Sequence, residues 1–295
     1  MSTNFRVGVA YWGETLPDES AAKDKQHVTF GTLAVLRELL GVAEIVHSLF
    51  HPLSAKDSRL YLSQVKASPN FRFTVRLWQK LVREKSPSSR ADIDMVKRGL
   101  APFMEAQRLG AVVIQFPAAF KSSEKSLEWL LDLVDAFAEY PVVIETIHPS
   151  WKNSSFISCA QTRHICLAQV DQPMSRLFSS PHSVEPDAMT YARFDGRNEK
   201  RWLDLMAGKE DRYDYLYSTT EVREILDALS PAIERKNEAF LIFANSTKGQ
   251  AIANALQLQY LLTRRKVKLP AAILQSFPIL AEIHETGSFP QGELF

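Results

Sequence analysis

Cysteine is scarce in this chain: Cys159 and Cys166 are the only two in 295 residues. Two sulfurs at that spacing match no zinc or redox motif and cannot frame a chain of this length with disulfides. They read as buried thiols in a reducing cytoplasm. Long apolar runs are missing too. No window approaches the roughly 18 residues of a membrane span. The start, Met1-Ser-Thr-Asn-Phe-Arg6, lacks the apolar stretch of a signal peptide. The expectation is a soluble cytoplasmic protein with no membrane partner. Excess charge is lacking as well: 35 Lys and Arg stand against 34 Asp and Glu, a formal net charge of +1. No global field therefore recruits nucleic acid, although a local basic patch stays open. Finally, there is no P-loop, no G-x-S-x-G elbow, no H-E-x-x-H, and no G-x-G-x-x-G after the first strand.

What is present is a regular alternation. Apolar, β-branched runs predict strands over 5–12, 42–46, 71–76, 111–116, 164–170, 188–194 and 238–245. A further strand opens at Pro141 and is stopped by Pro149. Residues with helical spacing predict helices over 28–40, 54–66, 91–109, 123–138, 154–161, 219–236 and 248–265, with Ser54 as an N-cap. Polar loops cover 13–27, 79–90 and 172–187, and an insertion rich in Arg, Asp, Tyr and Trp covers 196–218. Eight strands separated by mostly helical connections predict an α/β fold: a closed TIM-type (β/α)8 barrel with a parallel sheet, single-domain over 1–268. Residues 269–295 form a C-terminal extension with a flexible end.

In a barrel, alternate strand residues face the interior, and charges are costly on the helix-facing side. That argument points Glu44 and Val46, Thr74 and Arg76, Val113 and Gln115, and Val143, Glu145 and Ile147 inward. It likewise puts Tyr191, Arg193 and Asp195 inward, and Phe243 and Asn245 on the last strand. With Asp171 and Arg197, most of these polar residues sit near the C-terminal ends of strands, where barrel enzymes build their sites.

The chemistry offered is mixed in sign. Glu145 and Asp171 end adjacent strands, so their carboxylates are expected about 5 Å apart, able to share a proton or act as acid and base. Arg193 completes the catalytic candidates. Arg76, Arg193 and Arg197 could clamp a phosphate, since a guanidinium matches its oxygens. Gln115 and Asn245 would orient the ligand. The aromatics Tyr11, Trp12, Trp151 and Tyr217 suit a base or a sugar ring. The other ligand-binding candidates are Glu44, His148 and Asp195. Glu44, His47, Glu145, His148 and Asp171 are the right types for a divalent metal, without any tight ligand spacing; no metal ligand is assigned and the cofactor is unknown. The bland alternative is a self-satisfied ion-pair layer that only holds the barrel shut.

Leu109-Gly-Ala-Val-Val-Ile-Gln-Phe-Pro117, Glu145 with His148-Pro-Ser-Trp151, Tyr191 with Arg193, and Gly196-Arg197 resemble the YecE-like family, a barrel family of unassigned function. Arg212-Tyr-Asp-Tyr-Leu-Tyr-Ser218 with Glu221, and Asn245 with Gly249, Ala251, Asn254 and Ala255, extend the resemblance over nearly the whole chain. It implies a barrel and no established activity. The family usually carries Asn at Val46, Tyr at Phe50, Lys at Arg76 and Thr-His at Val82-Arg83. It usually carries Arg at Ile147, His at Asp195 and Asn at Ala244. Several of these departures remove polar groups from the mouth, and Ile147 leaves Glu145 short of a cationic partner.

Three readings follow. The first is a site that binds, and hydrolyses, a small anionic ligand, phosphate-containing or nucleic-acid-like. The second is a non-catalytic protein recruited to DNA replication or repair. Its tail, Gln291-Gly-Glu-Leu-Phe295, resembles the peptide by which DNA-handling proteins bind the sliding clamp, with Leu294 and Phe295 in an apolar pocket and Gln291 making polar contacts. The basic run Arg264–Lys268 and the loop with Lys80, Arg83 and Lys85 would then track phosphates. The third is a glycosidase built on Glu145 and Asp171.

Overall fold

The computed structural model describes residues 4–11, 32–83, 89–173, 189–235 and 238–287, and the statements below concern those residues. Strand β1 (Asn4–Tyr11) pairs in parallel with β2 (Val42–Ile45), and the ladder continues through β3 (Arg72–Arg76), β4 (Leu109–Gln115) and β5 (Val142–Glu145). Two short strands come next, β6 (Cys166–Leu167) on β5 and β7 (Gln169–Asp171) on β8 (Met189–Phe194). Strand β8 pairs with β9 (Glu238–Phe243), which returns to β1. Only Ala168 separates β6 from β7, and its N–H still donates to the Ile144 carbonyl at 2.8 Å. The ring is completed through that residue. The eight expected parallel strands are therefore nine, because the sixth leans first on β5 and then on β8.

Helices cover the outside: α1 (Leu33–Leu39), α2 (Ala55–Gln64), α3 (Gln79–Arg83), α4 (Arg90–Glu105), α5 (Glu124–Ala136) and α6 (Ser154–Thr162). The insertion holds α7 (Glu199–Leu203) and α8 (Lys209–Tyr213), followed by α9 (Thr219–Arg235), α10 (Gln250–Thr263) and α11 (Ala271–Ser276). Helix α3 falls where the sequence suggested only loop. Side chains set the helix starts, as capping chemistry requires. Ser54 and Asp57 form a reciprocal capping box at α2, Ser123 accepts from Ser126 N–H at α5, and Asn153 accepts from Phe156 N–H at α6.

Burial separates two apolar layers. Val7, Val9, Ala43, Ile45, Phe73, Val75, Val112, Ile114, Ile144, Ala192 and Phe194 pack outward against the helices. Ala10, Val42, Val46, Ala111, Val113, Val143, Cys166, Met189 and Tyr191 fill the interior. Glu44, Arg76, Gln115, Glu145, Arg193 and Asp195 share the interior parity, as expected from charge alone. The last strand is a correction. Phe240, Ile242 and Ala244 face the interior, whereas Phe243 lies in the outer layer. Asn245 was allowed to set that parity, but it is neutral, and its amide nitrogen finds acceptors in the helical layer: Nδ2 donates to Tyr215 O at 2.7 Å and to Asn254 Oδ1 at 2.9 Å.

Glycine makes room at the lower interior. Gly8 lies against Val42, where a Cβ would stand 1.9 Å from the carbonyl oxygen, and a Cβ on Gly110 would stand 2.6 Å from the Phe240 ring. Phe240 therefore fills the axis. In the extension, Ile273, Phe277, Leu280 and Ile283 join the outer layer and His284 bridges to Val267, so residues 269–287 pack on the barrel.

Candidate functional site

The register of the central strands brings six polar residues into one buried layer at the C-terminal ends. Gln115 stands opposite Glu145 across β4 and β5, and its Nε2 donates to Glu145 Oε1. Arg76, at the end of β3, donates from Nε to Glu44 Oε1 at 3.0 Å and from Nη1 to the Gln115 amide oxygen. Arg193 sits at the centre. Its Nη1 lies 3.3 and 3.4 Å from the two oxygens of Glu145, its Nη2 lies 2.8 Å from Asp195 Oδ1, and its Nε lies 3.8 Å from Glu44. Tyr191 donates to Glu44 Oε2. Arg193 thus occupies the role that an arginine at Ile147 would have filled.

The layer contains three carboxylates and two guanidiniums, and this imbalance shows in its protonation. Burial would raise Glu44, but Arg76 and Arg193 beside it and the Tyr191 bond bring it below the ordinary carboxylate value. Asp195 goes the other way: burial, and the like charges of Glu145 and Glu44, push it up to about 6 against the pull of Arg193 and Arg76. Arg193 is held well above its usual value, because the three acids around it outweigh burial. Arg76 Nη2 is buried and has no hydrogen-bond partner among the described residues.

Asp171 lies elsewhere. Ile165 and Leu167 of the same segment pack outward, whereas Cys166 and Ala168 pack inward. Parity therefore turns Asp171 toward the helices, and its register partner Phe194 is outward as well. There Asp171 Oδ2 accepts from Arg197 Nε at 2.8 Å and from the Tyr217 hydroxyl at 2.9 Å. The Tyr217 hydroxyl in turn accepts from Gly196 N–H at 2.9 Å. Arg197 also reaches Glu221 at 3.3 Å. Asp171 thus leaves the sheet on the opposite face from Glu145, so the two carboxylates do not share the interior side on which a glycosidase reading placed them. Charge on the helix-facing side is tolerable here because a guanidinium and a phenol satisfy it.

Other candidates are placed as follows. Trp151 is buried in the outer apolar layer, stacks on Phe120 at 5.1 Å and donates to the Phe120 carbonyl. His148 caps the turn before Trp151 through Ser150, at 2.8 Å. His47 leans on Tyr61 of the outer layer, with ring centroids 5.9 Å apart. Among the described residues no three His, Cys, Asp or Glu side chains converge as a metal site. Tyr217 and Asn245 hold the insertion rather than line the mouth. Trp12, Lys85 and the tail residues Gln291, Leu294 and Phe295 fall outside the described residues, as does the Tyr11 side chain. The two basic tracts lie at opposite ends of the barrel: Lys80 and Arg83 follow β3 at the mouth, and Arg264–Lys268 follow α10 at the other end. Among the described residues no helix is long and apolar enough to cross a membrane.

Residues 6–276 match the model of a family described as a protein of unknown function, DUF72. The chain belongs to this family. A curated relative, the UPF0759 protein YunF of Bacillus subtilis (strain 168), is 25% identical over 276 residues, covering 87% of this chain and 94% of that protein. The crystal structure of a DUF72 family protein from Thermotoga maritima MSB8 is 27% identical, with a TM-score of 0.69, over 88% of this chain and 99% of that one. A DUF72 family protein from Enterococcus faecalis V583 superposes with a TM-score of 0.73 at 23% identity, over 88% and 95%. The barrel is thus the architecture of solved DUF72 proteins. Within it, Val46 and Ala244 are inward and apolar, at positions where the resemblance implies asparagine.

Tyr213 was not singled out from the sequence. It closes α8, and burial, then the Asp195 charge, push its phenol up, with Arg193 and Arg76 opposing. The insertion of this DUF72 chain therefore delivers a hydroxyl to the charged layer.

Proposed function

We propose that the mouth of this barrel, in a YecE-like member of its family, is a proton-linked site for a small anion, phosphate-containing in the first instance. The observation that supports this reading is Arg76 Nη2, buried and without an acceptor among the described residues. A buried charged donor left unpaired is expensive, and a ligand oxygen would relieve it. Asp195 makes room for the added negative charge. Held at about 6, it takes up a proton when an anion arrives beside it. If the ligand is an ester, that proton is available to the leaving oxygen, which is the role a general acid needs. Glu145, bonded to Arg193 and Gln115, is then a positioning group rather than the proton carrier.

The test is calorimetric titration with phenyl phosphate at pH 6.5 in two buffers of different ionisation heat. Proton uptake on binding, lost in Arg76→Met, is the expected result, and release of phenol would add hydrolysis. Absence of binding in both buffers would leave the layer as a structural ion-pair network and sink the reading. The clamp-binding tail stays a separate proposal. A sliding clamp titrated with the full chain and with a chain lacking 291–295 decides it, equal affinities removing it.

A further inference from the structure

The opposite end of the barrel gathers arginines in a different way. The turn at 68–71, which leads into β3, receives three guanidiniums on its carbonyl oxygens. Arg6 Nε donates to Asn70 O at 3.1 Å. Arg72 Nη1 donates to Pro69 O at 3.3 Å and Phe71 O at 3.4 Å. Arg108 Nη1 donates to Ser68 O and, at 2.9 Å, to the same Phe71 O. Because Arg72 and Arg108 share one oxygen, their nearest nitrogens stand no more than about 6 Å apart, a distance at which two like charges near a protein surface repel appreciably.

Among the described residues one carboxylate belongs to this cluster, and it is taken. Glu238 pairs with the nearly buried Arg6. Among the described residues neither Arg72 nor Arg108 pairs with any carboxylate, and their remaining N–H groups have no protein acceptor. Both residues are half-buried, so they are partly stripped of water yet open to a ligand. The repulsion is visible in protonation: after burial, Arg72 is what lowers both Arg6 and Arg108. At the mouth every guanidinium meets a carboxylate. Here two meet only carbonyl dipoles, which hold the side chains in place without neutralising them.

We propose that this end of the barrel carries an oxyanion site of phosphate type between Arg72 and Arg108, with the 68–71 turn as its floor. Planar guanidiniums fixed by one nitrogen keep their other donors in a set direction, which suits a tetrahedral oxyanion with several acceptor oxygens. The same chemistry is presented by free phosphate and by the backbone of a nucleic acid. The site is independent of the mouth.

The full chain is titrated at constant ionic strength with inorganic phosphate, with acetate and with a short single-stranded oligonucleotide. Phosphate should bind at least tenfold more tightly than acetate. Oligonucleotide binding at least tenfold tighter than phosphate assigns the source to a nucleic-acid backbone, and comparable affinity assigns it to free phosphate. The double variant Arg72→Gln, Arg108→Gln should weaken phosphate binding at least tenfold, whereas Arg76→Met should leave this site unchanged. Because the double variant removes bonds to the turn, Asn70→Asp serves as a second probe. It places a negative charge on the exposed turn while keeping the backbone bonds, and should weaken phosphate at least threefold. Phosphate binding that is unchanged in both variants, or matched by acetate, overturns the proposal. Loss in Arg76→Met alone would overturn it while leaving the mouth reading standing.

Discussion

The two ends of this barrel use arginine in opposite ways. At the mouth, Arg76 and Arg193 are nearly buried and face Glu44, Glu145 and Asp195. At the foot, Arg72 and Arg108 are half-exposed and face only carbonyl oxygens. A buried charge needs a countercharge, because desolvation is steep, whereas a half-exposed one can lean on dipoles and water. Burial therefore decides which end is rigid and internally committed, and which retains charge to offer.

The strongest way to break the comparison is Arg193→Met. It removes the guanidinium that three buried acids share, leaving Asp195 and Glu145 without a cation, and stability should fall by about 3–5 kcal/mol, read from urea denaturation. Arg72→Gln at the foot should cost less than about 1 kcal/mol. If the two variants unfold at the same midpoint, the contrast is wrong.

Next in size is a pH effect confined to the mouth. Asp195 rises from 3.8 to about 6 on folding. The folded state therefore binds this proton more tightly than the unfolded chain does. The stability it contributes is present below the unfolded value and is lost as pH rises through about 6. That difference is on the order of 2 kcal/mol between pH 4 and pH 7. Glu44 has the opposite sign: its lowered value gives stability above the unfolded one, lost as pH falls through its folded value. Asp195→Asn should flatten the slope between pH 4 and 6. An unchanged slope would show that another group titrates there.

A smaller effect belongs to the helix-facing network. Tyr217→Phe removes the donor to Asp171 and the acceptor for Gly196 N–H, and about 1–2 kcal/mol should be lost. Faster proteolysis within 196–218 would accompany it. An insertion cut at the wild-type rate would mean that Asp171 and Tyr217 do not hold it.

The strand ladder was legible because β-branched runs recur at regular intervals, and charge set the parity correctly on β2 to β5 and on β8. The same rule failed at Asp171 and Asn245. Each is a polar residue at a strand end whose partners, Arg197 with Tyr217 and Asn254 with Tyr215, lie in distant parts of the chain. A single sequence does not display such pairings, so polarity alone was read as inward. That Arg193 is the partner of Glu145 is shown only by the geometry. The foot cluster was hidden for another reason: its acceptors are carbonyl oxygens, which every residue has.

One feature of the interior separates the two ends. The Arg6 guanidinium lies over the Phe240 ring at 5.9 Å, and Phe240 lies 6.4 Å from Tyr191, whose hydroxyl reaches Glu44. Two aromatic rings, tilted by 42° to one another, form an oily septum between the charged floor and the charged crown. A change of charge at one end therefore meets packed hydrocarbon on the way to the other.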